Sequence, residues 1–138
     1  MAVEVKTEDE FNRLISAGNY ATTIVDFTAS WCPPCRAIKP YFEDLAKIYT
    51  DVQFLKVDVD NLSDVAGKAG VRSMPTFVVY KNGAKSEDIL EGANKNKLNM
   101  IIQSHSSISG NTAAQSQNSQ RRFSSSSKFG FLKRCTIL

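Results

Sequence analysis

Two cysteines three positions apart, Cys32 and Cys35, are the residues of this chain best suited to chemistry, and they lie within Trp31-Cys32-Pro33-Pro34-Cys35. Ahead of them runs Thr22-Thr23-Ile24-Val25-Asp26-Phe27-Thr28, short, β-branched and apolar, as a buried strand should be. Behind them Ile38, Phe42, Leu45 and Ala46 recur at helical spacing. Pro33 and Pro34 suit a first helical turn, where a missing N–H leaves no bond unmade. Cys32 is therefore expected at a helix N-terminus. Unpaired backbone N–H groups and the positive end of the helix dipole stabilise an anion there. The anion would be a thiolate, the nucleophile of disulfide exchange, held by this placement below the ordinary thiol pKa. Cys35, one turn further in, points back towards Cys32 and can close a ring.

The elements that must position this pair follow from the same patterning. Val3 and Val5 alternate with Glu4 and Lys6 as a short first strand, and Thr7-Glu8-Asp9-Glu10 reads as a capping box opening a helix with Phe11, Leu14 and Ile15 inward. Gly18-Asn19 stops it. After the cysteine helix comes a strand over Val52–Asp58, then a short helix with Leu62, Val65, Ala66 and Ala69 on one face, ended by Gly70. Alternating strands and helices argue for an α/β layer fold with parallel strands in the middle. Thr76-Phe77-Val78-Val79-Tyr80, the turn signal Lys81-Asn82-Gly83 and a weaker strand through Ile89 and Leu90 form an antiparallel hairpin. A last helix, capped by Asn94, carries Leu98, Ile101 and Ile102 and ends near Gln103. The order is β-α-β-α-β-α-β-β-α.

The 138 residues, 42% of them apolar, suit one domain of ordinary size. The net charge of +3 hides an asymmetry. Residues 104–138 carry five basic side chains and no acidic one, which leaves 12 basic and 14 acidic on the remainder, a net −2. A slightly acidic domain argues against nucleic-acid binding. Three cysteines, two of them a close pair, are no secreted disulfide framework, and Met1-Ala2-Val3-Glu4-Val5 does not read as a signal peptide, so a cytosolic chain is expected. No run of about 18 apolar residues spans a membrane. Half a zinc site is the competing reading of the pair, but the only further ligand candidates are His105 and Cys135.

The stretch Val25-Asp26-Phe27-Thr28-Ala29-Ser30-Trp31-Cys32-Pro33-Pro34-Cys35-Arg36 closely resembles the thioredoxin family, and its Phe-Thr-Ala-Ser-Trp lead-in is similar to the cytosolic plant h-type members. Lys56-Val57-Asp58-Val59-Asp60, Val71-Arg72-Ser73-Met74-Pro75-Thr76-Phe77, Lys81-Asn82-Gly83 and Gly92-Ala93 fall in the family's order, over roughly residues 3–103. The resemblance implies a thioredoxin fold, a central mixed β-sheet flanked by helices. It also implies roles: Cys32 attacks a substrate disulfide, Cys35 resolves the mixed disulfide, and Asp26 accepts the Cys35 proton with Lys56 nearby to modulate its charge. Burial inside the strand should raise the Asp26 pKa towards the range useful in acid–base work. Pro75 would be the family's cis proline, with the Met74 backbone free to pair with an extended substrate segment. Trp31, Val71, Met74, Gly92 and Ala93 would form the apolar rim that receives it. Most family members have Gly where this chain has Pro33, which stiffens the loop and leaves the direction of any change in redox potential open.

The resemblance implies no bound cofactor and no metal: electrons would reach the Cys32–Cys35 disulfide from NADPH through a thioredoxin reductase, or else from glutathione and glutaredoxin, and would pass to protein disulfides. A non-catalytic tethered binding module or chaperone is the alternative, in which the rim matters and the thiols do not. Residues 104–134 turn rich in Ser, Asn, Gln and Thr and read as a disordered basic linker. Cys135-Thr136-Ile137-Leu138 fits the C-a-a-X pattern, whose final Leu points to geranylgeranylation by a prenyltransferase. One lipid chain binds a membrane marginally, so Lys128, Lys133 and Arg134 would supply the second signal. The linker would leave the domain on the order of 30 Å from the anchor. Arg121-Arg122-Phe123-Ser124 resembles a basophilic kinase site, and phosphates on Ser124–Ser127 would offset that charge. Nothing suggests more than a monomer.

Overall fold

Strand-forming and helix-forming periods alternate along the chain, and the elements follow them. The computed structural model describes residues 2–16 and 18–108. In order these are β1 (Val3–Glu4), α1 (Glu8–Ser16), β2 (Thr22–Thr28), α2 (Pro33–Ile48), β3 (Gln53–Asp58), α3 (Ser63–Lys68), β4 (Thr76–Lys81), β5 (Ala84–Glu91) and α4 (Lys95–His105). The strands form one mixed sheet in the order β1-β3-β2-β4-β5. β3 runs parallel to both β1 and β2, whereas β4 is antiparallel to β2 and β5 to β4.

β2 is the central strand, and six of its seven residues are buried because helices cover both faces of the sheet. Its pleat sends Val25 and Phe27 to one face, where Phe11 of α1 and Val65 and Ala66 of α3 complete a cluster with Leu55 and Val78. Ile24 and Asp26 alternate to the other face. There Phe42 of α2 meets Phe54 edge-on at 5.2 Å and Phe77 at 5.7 Å, and α4, packed beside α2, buries Leu98 and Ile102. A carboxylate has thus been placed in the apolar layer beneath α2.

Local signals account for most boundaries. Thr7 Oγ1 accepts a hydrogen bond from Glu10 N at 3.0 Å, and Glu10 Oε1 reaches back to Lys6 N at 2.7 Å, one residue beyond the expected capping box. Asn82 and Gly83 both take positive φ, 53° and 85°, as a two-residue hairpin turn requires. Asn94 caps α4 by accepting from Lys97 N at 2.9 Å. β5 is polar along most of its length, which suits a sheet edge.

Two details go beyond the sequence pattern. Val3 is 42% exposed, and only Val5, which follows β1 and donates its N–H to the Lys56 carbonyl at 2.9 Å, reaches the core. α4 continues past Gln103 to His105, and the chain then folds back: Ser106 Oγ, Ser107 N and Ser107 Oγ donate to the Asp51 carboxylate at 2.7, 2.8 and 3.0 Å. The compact unit runs to Ser107. The remainder of the expected linker, the Ser124–Ser127 run and Cys135–Leu138 lie outside the described residues. No described helix is long and apolar enough to cross a membrane.

Candidate active site

Cys32 is the N-cap of α2, in extended conformation, and Pro33 and Pro34 fill the first two helical positions. Its Sγ accepts a hydrogen bond from Cys35 N at 3.3 Å, taking up one of the helix's unpaired donors. The two sulfurs are joined in a disulfide with Cα atoms 5.3 Å apart. The helix N-terminus expected for this pair is present.

Neither cysteine is open to solvent. Both cysteines are 3% exposed, because Ala29, Val59 and Met74 pack around them, and Cys32 Sγ lies 3.6 Å from the Met74 carbonyl oxygen. What separates the two thiols is the side each faces. Cys32 lies against the Met74 loop, whereas Cys35 lines a cavity of about 220 Å³ together with Asp26, Thr28, Lys39, Lys56 and Asp58.

Asp26 is 3% exposed, and its Oδ1 has no hydrogen-bond partner. Burial pushes the carboxyl up from 3.8 to about 7; Lys56 pulls it down and Glu43 pushes it further up. Lys56 is the β3 residue in register with Asp26 on β2. Its ammonium is bound to the Glu43 carboxylate of α2 at 2.6 Å, with both side chains mostly covered. Asp26 and Cys35 line the same cavity. Glu43 was missed: only its α2 position one turn after Lys39 hints at it, and pairing across to β3 is invisible locally.

The residues expected at the rim come from three loops. Trp31 is 59% exposed and its indole Nε1–H donates to Asp60 Oδ2 at 2.8 Å, a tether the sequence did not disclose. The Met74-Pro75 peptide is cis. Pro75 itself is buried, and its carbonyl accepts from Gly92 N at 2.8 Å, which joins the Val71–Met74 loop to the segment after β5. Arg72 and Glu91 reinforce this link with an ion pair at 3.0 Å. Val71, Met74 and Gly92 are half-buried and Ala93 is exposed. Gly92 takes φ +101°, a conformation that side chains rarely adopt. Among the described residues no group of three or more His, Cys, Asp or Glu is placed to hold a metal ion, and His105 is engaged with Asp88 at 2.6 Å.

Known proteins resemble this chain in sequence and fold. The family model described as Thioredoxin matches residues 2–104. Thioredoxin-1 of Schizosaccharomyces pombe is 45% identical over 105 residues, 76% of this chain and 99% of the relative. Among solved structures, a Plasmodium falciparum thioredoxin superimposes with a TM-score of 0.71 at 45% identity, covering 75% of this chain and 98% of that one. The thioredoxin NaTrxh of Nicotiana alata gives 0.72 at 36% identity, covering 76% and 92%.

Proposed function

This chain belongs to the thioredoxin family and is a thiol–disulfide oxidoreductase working through a redox-active disulfide; from that premise we propose how its own residues divide the work. In the reduced enzyme the Cys32 thiolate, stabilised by the N-terminus of α2, attacks one sulfur of a protein disulfide. A Cys32–substrate disulfide forms, and the first substrate sulfur leaves as a thiolate. Asp26 then takes the proton of the Cys35 thiol. The Cys35 thiolate attacks Cys32 Sγ, the Cys32–Cys35 bond forms, and the second substrate sulfur departs and is protonated. Two electrons have passed from the dithiol to the substrate disulfide, and a thioredoxin reductase, or glutathione and glutaredoxin, returns them.

The observation that carries this reading is a partnerless buried carboxyl, with a pKa near neutrality, on the cavity wall that it shares with Cys35. A general base works best when its pKa lies near the operating pH. Lys56 modulates that pKa. Trp31, Val71, Met74, Gly92 and Ala93 would receive an extended substrate segment, and Pro75 fixes the loop that presents the Met74 backbone. Insulin-disulfide reduction tests the assignment: wild type should turn over and Cys32→Ser should fall to the uncatalysed rate. Equal rates would leave only a binding module or chaperone.

The narrower likeness to cytosolic plant h-type members rests on the Phe27–Trp31 lead-in. The location proposed is cytosolic and membrane-associated. It rests on Cys135 as a geranylgeranyl acceptor for a prenyltransferase, on the basic residues before it, and on the polar spacer between residues 104 and 134. The compact unit up to Ser107 and the residues beyond it would then divide chemistry from address. Phosphorylation at Ser124 would weaken the membrane attraction by offsetting its positive charge.

A further inference from the structure

We infer that Glu43 is a positioning residue for the acid–base chemistry of Asp26: it holds the Lys56 ammonium on α2's side of the cavity and so keeps Asp26 without a counter-ion. The inference rests on the role of Asp26 proposed above. Its geometry is independent of that role. Lys56 stands in register with Asp26 on the neighbouring strand, so its chain starts beside the carboxyl. Its Nζ is nonetheless bonded to Glu43 Oε2 at 2.6 Å, while Asp26 Oδ1 stays buried with no partner. An unpaired carboxylate oxygen beside a lysine is an arrangement that a competing anion must maintain, because an ammonium otherwise gains a strong charge-assisted hydrogen bond by turning to it.

The other charged groups around the cavity do not compete for this function. From α2, Arg36 and Lys39 are exposed, and Arg36 is given to the Ser30 carbonyl at 2.8 Å. From β3, Asp58 is engaged by Asp60 N at 2.8 Å. From β1, Glu4 is half-exposed and pairs with Lys6 at 3.4 Å. β4 presents apolar Phe77 opposite Asp26. Lys56 and Glu43 are bonded to each other with both side chains mostly covered, where screening by water and salt is weak. Glu43 thus acts twice in one direction. Its negative charge disfavours ionisation of Asp26 directly, and its grip on Lys56 withholds the cation that would favour it.

The test reads the Asp26 carboxyl itself, by carbon-13 NMR or the infrared carboxyl band, in the oxidised full-length protein where neither active-site cysteine titrates. Glu43→Gln should lower the Asp26 midpoint by about one pH unit. In a Lys56→Met background, with Lys56→Gln as the substitute if Met does not fold, the same change should shift it by much less than half as far. An unchanged midpoint in Glu43→Gln overturns the inference. Equal shifts in both backgrounds also overturn it, since Glu43 would then act by its own charge alone. The measurement uses no substrate, so a failed insulin assay would strike the proposed reaction at Cys32 and leave the Glu43 result standing. Glu43→Asp, which keeps the charge, should restore most of the wild-type midpoint.

Discussion

Burial lifts the Asp26 carboxyl from 3.8 to about 7, and that preference for the neutral form ties folding to pH. Below about pH 4 the group is protonated in both folded and unfolded chains, and it contributes no difference. Between pH 4 and 7 the folded state holds the proton more tightly, so stability falls as pH rises, and above 7 the penalty is complete. The span of the shift corresponds to up to about 4 kcal/mol. Asp26→Asn should therefore unfold at higher urea than wild type at pH 8, by an amount that shrinks towards pH 4, with both chains in the disulfide form. A difference that stays constant with pH would mean that Asp26 ionises freely in the fold. The substitution should also slow disulfide reduction, because no side chain remains at that position to take the Cys35 proton. Asp26 was readable as a charge in an apolar strand. Its lack of a partner and the distraction of Lys56 by Glu43 were not, since both depend on how β2, β3 and α2 come together.

At the scale of elements, α2 does two jobs at one end: it supplies the dipole at Cys32 and begins with two prolines. Pro33 sits where its φ is already helical and no N–H is missed, so it narrows the unfolded ensemble without strain in the folded one. Pro33→Gly should lower stability by about 1 kcal/mol, read as a shift in urea midpoint at unchanged slope. The loss should be similar in the oxidised and reduced proteins. A stabilised variant would show that Pro33 is strained at this position. The order of elements was legible because each carries its own period: apolar runs at β2, β3 and β4, and 3.6-residue spacing in α1, α2 and α4. Strand neighbours were less so. That β1 pairs with β3, or that Asp26 faces Lys56, comes from crossovers whose direction no single segment encodes. The ends of elements slipped for a similar reason: α4 outlasts its apolar pattern because His105 finds Asp88 and the next two residues find Asp51.

For the whole molecule, the question is where the catalytic unit stops, and the Asp51 latch gives a sharper answer than composition did. The change to a Ser-rich sequence begins at residue 104, inside the last turn of α4. Asp51 is partly desolvated, yet hydrogen bonds from Ser106 and Ser107 outweigh that and hold its carboxyl below the usual range. A depressed carboxyl stabilises the fold above its unfolded pKa and loses the contribution as pH falls through the folded value, so the latch loosens only in acid. A chain ending at Ile108 keeps the latch, His105 and every residue of the proposed site. It should match the full chain in urea midpoint and insulin reduction, while losing any membrane-associated fraction and any lipid mass that the full chain acquires in a eukaryotic cell. A chain ending at Gln103 removes the last turn of α4 and bonds to two carboxylates, and should lose about 2 kcal/mol of stability. Full-length material of unmodified mass would refute lipid attachment in that cell. Equal stability of the two truncations would show instead that the fold ends at 103, as the composition alone implies.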